Sequence, residues 1–283
     1  MSNEIRSHPT EGWPVEVSKI LSPRALLKTL VVDQYRALWT QYPVDPDPTE
    51  ADRLKVLGLY GVVTLCLISN NYFGTELYKV VPTGILEGHE IRFARKVGWA
   101  WWVTFFYLVP TYAYCRFVLG LGLRDLGFRA RGFFQHAPLY LAFFLIVLPF
   151  VVWVSGDPHF LRTYPLAKHA GDSWLFIAIW ELSYGFQFVG VEFFFRGVML
   201  FGAVRLLGPW VIPMMVVPYV MLHFQKPWLE STGAIIAGTV LAVVALRTRS
   251  IFAGIAIHTA VAWSMDFLAL WNKGALQRLL GWS

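Results

Sequence analysis

Four ionisable residues interrupt otherwise apolar stretches of this sequence, and their types are those that hydrolytic sites use. Glu192 and Arg196 stand four residues apart in the run VGVEFFFRG, so on a helix they share one face and can form an ion pair. His223 ends one apolar run, and His258 lies inside another. An ionised side chain at the centre of a bilayer costs about 2.5–3.5 kcal/mol, so such residues usually face the interior of a helix bundle. We therefore expect the four side chains to converge on one site.

One carboxylate and two imidazoles support two kinds of chemistry. In the first, the carboxylate acts as general base on a water molecule, one histidine shares the proton, and the other polarises a carbonyl group. In the second, the same three residues are the ligands of a catalytic zinc ion with an open fourth position. No H-E-x-x-H helix is present in the sequence to favour the metal. Both schemes indicate hydrolysis, and the alternative for Glu192 and Arg196 is a purely structural ion pair.

The composition places these residues in a membrane protein. Of the 283 residues, 56% are hydrophobic and 15% are charged, whereas a soluble domain carries about a quarter charged residues. A helix needs about 20 mostly apolar residues to cross a bilayer. The predicted fold is therefore an all-α polytopic membrane helix bundle with about seven transmembrane helices. The seven runs are 56–73, 98–115, 137–154, 174–200, 206–222, 231–246 and 250–271.

The chain divides into an N-terminal arm, residues 1–53, and a membrane domain, residues 54–283. Apolar residues recur at helical spacing over 23–42 while the basic residues fall outside that stripe, which predicts an amphipathic helix on the membrane surface. The alternative is a helix packed against the protein's own loops. The Pro-rich stretch 43–49 is expected to be a linker.

The net charge of +6 does not by itself indicate nucleic-acid binding. The basic residues are spread through loops, with no basic face interleaved with aromatic residues, so no nucleic-acid partner is expected. More Lys and Arg residues fall on the side that holds the N-terminus, and the positive-inside rule then places the N-terminus in the cytoplasm.

With these residues in place, the sequence resembles the CAAX-processing and bacteriocin-processing intramembrane proteases, the CPBP or Abi family. That family carries E-E-x-x-x-R on one span, F-x-x-x-H on the next and H-x-x-x-N/D on a later one. In this chain the three motifs read Val191-Glu192-x-x-x-Arg196, Tyr219-x-x-x-His223 and His258-x-x-x-Ala262. The resemblance covers a protease-like core at about residues 174–270.

The resemblance implies an intramembrane endopeptidase of a bacterial inner membrane. Such an enzyme hydrolyses peptide bonds of membrane-anchored or lipidated protein substrates with a glutamate-activated water, and needs no cofactor unless the zinc alternative holds. Its catalytic residues would be Glu192 as base or electrostatic partner, His223 sharing the proton of the water, His258 stabilising the oxyanion, and Arg196 orienting Glu192. The partners implied are such a protein or peptide substrate and the lipid bilayer.

Two departures from the family pattern raise alternatives. The first glutamate of the family is Val191 here, and one residue along a helix is a rotation of about 100°, so Glu192 does not take its place without the helix turning. The Asn or Asp of the last motif is Ala262, and Asp266 is too far along the helix to replace it. These changes keep open a pseudoprotease that acts as a membrane binding or scaffold protein. A transporter is a third possibility, although no inverted repeat is found.

Convergence of the four residues also makes a demand on the helices. In a span that starts at residue 174, Glu192 lies about 27 Å along the axis, while His223 ends the following span. The two meet only if the first helix is long, over about 174–205, or bends at Gly185 or Gly190.

Overall fold

The structure is a computed structural model that describes Lys28 and residues 32–74, 88–130 and 133–282. All regular elements in these residues are helices, and no strand occurs among them, as predicted. The α-helices are α1 Asp33–Gln41, α2 Glu50–Tyr72, α3 His89–Phe117, α4 Phe133–Val154, α5 Pro158–Thr163, α6 Trp174–Glu192, α7 Val204–Leu207, α8 Val211–Met221, α9 Trp228–Thr248, α10 Phe252–Asn272 and α11 Ala275–Leu280. Short 3₁₀ turns at Ala170–Asp172 and Gly208–Trp210 precede α6 and α8.

Five stretches in the described residues are long and apolar enough to cross a membrane. They are His136–Val154, Trp174–Phe201, Val204–Met221, Trp228–Thr248 and Phe252–Asn272. The first two predicted crossings, 56–73 and 98–115, fall on α2 and α3, which are 23 and 29 residues long but are not among the five. The all-α membrane bundle is therefore confirmed, and the number of seven crossings stays a prediction.

The N-terminal arm is held by contacts with the bundle. Residues 23–27 and 29–31 of the predicted helix 23–42 lie outside the described residues, and the described part is α1. In α1, Gln34 and Gln41 accept hydrogen bonds from the Arg247 guanidinium at the end of α9, at 3.1 and 2.8 Å. These hydrogen bonds join the described part of the arm to the bundle, and the position of the helix on the membrane surface stays a prediction.

The centre of the bundle is a helix that changes its winding. α6 begins at Ser173, whose hydroxyl accepts a hydrogen bond from the Phe176 backbone N–H. After Glu192 the chain continues without a break as a π-helix, Phe193–Phe201, which has hydrogen bonds from residue i+5 to residue i instead of i+4. The helix is thus continuous over Trp174–Phe201, as the long-helix expectation required.

The π-helix Phe193–Phe201 is enclosed by other helices. All nine of its residues are buried, and it contacts α2, α3, α8 and α9. π-helical segments are rare and often occur at functional sites. The two residues of the first motif, Glu192 and Arg196, lie at and just after the point where the winding changes.

Candidate active site

The Glu192 carboxylate joins two spans through the imidazole of His258. Its Oε1 lies 2.8 Å from Nδ1 of His258 on α10 and 3.1 Å from a terminal nitrogen of Arg196, four residues on. Glu192 and Arg196 are 0% and 1% exposed, so neither charge is in contact with solvent or lipid. A buried charge is retained only when it is paired, and here one carboxylate oxygen serves two cationic or hydrogen-bonding partners.

A glycine on the facing helix makes room for the carboxylate. A Cβ atom at Gly254, one turn before His258 on α10, would collide with Oε2 of Glu192. That oxygen is buried and has no hydrogen-bond partner among the described residues. Gly254 therefore lets α10 approach α6 closely enough for His258 to reach Glu192.

The contact with Glu192 fixes the tautomer of His258. A carboxylate oxygen only accepts, so Nδ1 of His258 carries the proton and donates it to Glu192. In the neutral ring, Nε2 is then an acceptor, and the Tyr219 hydroxyl oxygen lies 3.4 Å from it. The His258 side chain is 17% exposed whereas that of Glu192 is fully buried. Of the two, His258 is the group that an incoming molecule reaches.

Tyr219 on α8 is the residue that the remaining site side chains share. The Arg196 guanidinium carbon lies 4.3 Å from the centre of the Tyr219 ring, a cation–π distance. The ring also lies 4.9 Å, centre to centre, from the His223 ring. On the other side Gly238 allows a close approach, because a Cβ there would lie 2.9 Å from the Tyr219 ring. Tyr219 is 2% exposed.

His223 lies beside Tyr219 and forms no contact with Glu192. Its Nδ1 is 3.0 Å from the backbone carbonyl oxygen of Tyr219, so this nitrogen carries the proton and Nε2 is the acceptor. Ser231 holds the turn by donating to the His223 carbonyl oxygen at 2.5 Å. Burial and, to a smaller extent, the nearby charge of Lys226 lower the pKa of His223 to about 3, so the ring is neutral at physiological pH.

The four residues expected at one site are therefore brought together, three of them by direct contacts and the fourth through a shared neighbour. Glu192, Arg196 and His258 contact one another directly, and His223 joins them through Tyr219. In the sequence, Tyr219 is distinguished only as a change from Phe in the second motif. The signal for its role was that same change, since it adds a hydroxyl group to an aromatic position inside a set of polar residues.

The two residues that depart from the family pattern lie beside the site and have no polar side chain. Val191 and Ala262 are both buried, and both pack in the main hydrophobic core. Asp266 accepts a hydrogen bond from Nε1 of Trp180 at 2.6 Å. Asp266 is thus engaged with α6 two turns away from His258, in line with the expectation that it is a poor substitute for the missing Asn or Asp.

A metal site is not formed by these side chains. Within the described part of the chain, no group of three or more His, Cys, Asp or Glu residues is placed so that it could hold a metal ion. Nε2 of each histidine has a lone pair, but Glu192 is not placed to be the third ligand, because its Oε1 is engaged by His258 and Arg196 and its Oε2 lies against Gly254. The three side chains in this arrangement do not fit zinc.

A comparison with known protein families gives a match that covers this site. Residues 173–264, about a third of the chain, match the family described as type II CAAX prenyl endopeptidase Rce1-like. No curated protein and no solved structure matches the chain. The matched segment contains Glu192, Arg196, His223 and His258, so the resemblance stated from the motifs is confirmed. Over this segment, the chain is similar to the type II CAAX prenyl endopeptidase Rce1-like family.

Proposed function

We propose that this protein is an intramembrane endopeptidase that hydrolyses peptide bonds of membrane-anchored or lipidated protein substrates. The observation that carries the proposal is the contact between Glu192 and His258, which joins two spans through one buried carboxylate oxygen. A protease-family segment surrounds that contact. A purely structural ion pair would need only Glu192 and Arg196, and would not account for an oriented imidazole beside them.

The geometry supports an indirect role for the carboxylate. A glutamate that activates water needs an oxygen that the water can reach, but Glu192 is 0% exposed and its Oε2 lies against Gly254. His258 is partly exposed and has an acceptor nitrogen at Nε2. We therefore assign general-base catalysis to His258 and the positioning of its ring to Glu192, which replaces direct activation of water by Glu192 in the mechanism.

The proton then follows a short path. Nε2 of His258 takes a proton from water as the water oxygen attacks the substrate carbonyl carbon, and the imidazolium formed is stabilised by the Glu192 carboxylate. The same proton is passed to the leaving amine nitrogen as the C–N bond breaks. Arg196 holds the Glu192 carboxylate in place, since one of its terminal nitrogens lies 3.1 Å from Oε1.

His223 is assigned a supporting position. Its pKa of about 3 makes it a weak base, because an efficient general base has a pKa near the working pH. Its ring packs against Tyr219, whose hydroxyl faces His258. We propose that His223 orients Tyr219 and interacts with the substrate side of the site.

Cleavage in cells tests the function. Membranes from cells that express the wild-type protein, the His258→Ala variant or the Glu192→Gln variant would be compared by mass spectrometry of protein termini. We expect termini that are produced by the wild type and are missing from both variants. A matched control is His136→Ala, since His136 lies in the first turn of α4 and its ring is near Tyr140, outside the site. If both site variants produce the wild-type termini, the assignment of this site is wrong.

The zinc alternative has its own test. Because the three candidate ligands do not form a metal-binding group here, we expect cleavage by purified protein to survive 1,10-phenanthroline and prolonged dialysis against EDTA. Loss of cleavage with a chelator, followed by recovery on adding zinc, would assign the reaction to metal-dependent hydrolysis.

The orientation of the chain is also a proposal. Five apolar helices and the family segment make this a multi-pass membrane protein. The arginine-bearing loops 118–130 and 249–251 meet at one end of the bundle, where Ser250 donates to the Arg129 carbonyl oxygen at 2.6 Å. We propose that this end faces the cytoplasm of a cell with the protein in its cell membrane. In this orientation, a cysteine introduced at Arg124 should react with an impermeant maleimide only after the cells are opened. The two natural cysteines are buried, so they should not contribute to the labelling.

A further inference from the structure

We infer that the hydroxyl group of Tyr219 is a catalytic hydrogen-bond donor, which binds Nε2 of His258 in the free enzyme and the oxyanion during the reaction. The inference rests on the proposed function, and it adds a residue to which neither the motifs nor the family match assigns a role. It starts from the distance of 3.4 Å between the Tyr219 hydroxyl oxygen and Nε2 of His258.

The direction of this hydrogen bond is set by the neighbours. Because Nδ1 of His258 donates to Glu192, Nε2 of the neutral ring has a lone pair and no proton. The phenol is then the only donor in the pair, so its O–H points at Nε2. A distance of 3.4 Å is long for a hydrogen bond, so turning the phenol proton to another acceptor costs little.

The position of the phenol suits the developing negative charge. In the proposed mechanism the attacked carbonyl carbon lies next to the water that Nε2 deprotonates, so its oxygen develops a negative charge close to Tyr219. As Nε2 gains the water proton it stops being an acceptor, and the phenol O–H is released to donate to the oxyanion. When the C–N bond breaks, the imidazolium proton moves to the amine, Nε2 becomes an acceptor again, and the phenol returns. The phenol donates throughout and its proton is not transferred.

The position four residues after His258 on α10 leaves this task open. On that helix, the residue one turn beyond His258 is Ala262, which is buried and has no hydrogen-bonding side chain. Tyr219 approaches from a different helix, α8, and its hydroxyl reaches the same imidazole. The donor that α10 does not provide at this position is thus provided by α8.

The ring of Tyr219 is held before any substrate arrives. The Arg196 guanidinium packs against it at 4.3 Å, and the Phe195 ring contacts it edge to face at 5.4 Å. On the α9 side, Gly238 leaves no free space, since a Cβ there would already be within 2.9 Å. A donor that is fixed in this way stabilises an oxyanion without paying for reorganisation, and removing one such donor typically lowers kcat by about 10²–10³-fold.

The substitution Tyr219→Phe separates the hydroxyl from the ring. Phenylalanine keeps the packing with Arg196 and Phe195 and removes only the O–H. A matched control is Tyr140→Phe on α4, which removes a hydroxyl from a tyrosine that is also buried, at 5% exposure, and lies outside the site. The probe is a fluorescence-quenched peptide that carries a farnesylated cysteine followed by three residues, given to the full-length protein in detergent micelles.

Two readouts are measured on the same samples. For Tyr219→Phe we expect kcat to fall by about a hundredfold with KM within about twofold of the wild type, and Tyr140→Phe to leave both unchanged. In protein labelled with ¹⁵N-histidine, we expect the Nε2 signal of His258 to move towards that of an acceptor nitrogen with no hydrogen bond. The signal is assigned by its loss in His258→Gln.

The outcomes are distinguishable. Wild-type cleavage of the probe with an unchanged kcat in Tyr219→Phe, or an unchanged Nε2 signal, overturns the role of Tyr219 and leaves the proposed function standing. A wild-type protein that cleaves neither the probe nor any cellular protein overturns both. Thermal unfolding of the same samples is the control, because a structural defect would also lower the unfolding temperature. A fall in kcat together with a moved Nε2 signal, at an unchanged unfolding temperature, supports the donor.

Discussion

The buried ion pair of Glu192 and Arg196 gives a prediction that does not depend on finding a substrate. For two unit charges 3.1 Å apart, Coulomb's law with an effective dielectric constant of about 20 gives an attraction of about 5 kcal/mol. Desolvation offsets most of this in the intact pair. When one partner is removed, the remaining charge keeps its desolvation cost and loses the attraction, which typically destabilises a protein by about 3–5 kcal/mol.

The perturbation is a double-mutant cycle. Arg196→Met removes the guanidinium while keeping a long apolar side chain under Tyr219, and Glu192→Gln keeps an oxygen that can accept from Nδ1 of His258. We expect Arg196→Met alone to lower the free energy of unfolding by about 3–5 kcal/mol. In the double variant no buried charge is left unpaired, so it should recover at least about 2 kcal/mol of that loss.

The assay is unfolding of the purified protein in dodecylmaltoside micelles with increasing SDS, followed by circular dichroism. An exposed pair on α1 provides the control, since Arg36 lies 3.8 Å from Asp33 and their side chains are 72% and 42% exposed. Arg36→Met should cost less than about 1 kcal/mol. A loss below about 1 kcal/mol for Arg196→Met, or strict additivity in the cycle, would refute the reasoning that a compensated charge is buried here.

Three further predictions concern neighbouring positions. Gly254→Ala should abolish cleavage, because the added methyl group displaces the Glu192 carboxylate from His258; a kcat within tenfold of the wild type would contradict this. Val191→Glu should lower the thermal unfolding temperature and give no increase in probe cleavage, because Val191 packs in the apolar core, where a new carboxylate is costly. Increased cleavage would instead support the hypothesis that this protein descends from an enzyme with a glutamate at this position. Burial, with the nearby charge of Lys273, lowers the pKa of Lys168 to about 8, so the unfolded chain binds more protons between about pH 8 and pH 10.4 and stability should rise with pH across that window. Lys168→Gln should flatten that rise in SDS unfolding curves measured at several pH values, and an unchanged slope would contradict the assignment.

Much of the site was predictable because a bilayer restricts where ionisable groups lie. The pairing of Glu192 with Arg196 follows from their spacing and from the cost of an unpaired charge. The interior position of His258 follows from the same cost. The long helix that brings Glu192 towards His223 was one of two solutions to a problem of length, and the continuous stretch Trp174–Phe201 is that solution.

What could not be predicted depends on contacts between helices distant in sequence. Nothing in FFFRGVMLF distinguishes a π-helix from an α-helix, since both bury an apolar run equally well. The close fit of Gly254 against Glu192 depends on how two helices approach each other, and it decides that the carboxylate is buried. The orientation of the Tyr219 hydroxyl likewise depends on three other elements, so the sequence indicated its presence but not its contact with His258.

The wide winding of Phe193–Phe201 places a restriction on the number of residues in this segment as well as on their type. A π-turn holds more residues than an α-turn, so winding the same residues as an α-helix would rotate one end of the segment relative to the other. Exchanges of one apolar residue for another at Val198, Met199 or Leu200 leave that count intact and only alter packing. Homologues that keep this π-helix should therefore keep the number of residues between Glu192 and Gly202, even where the identities of those residues have diverged.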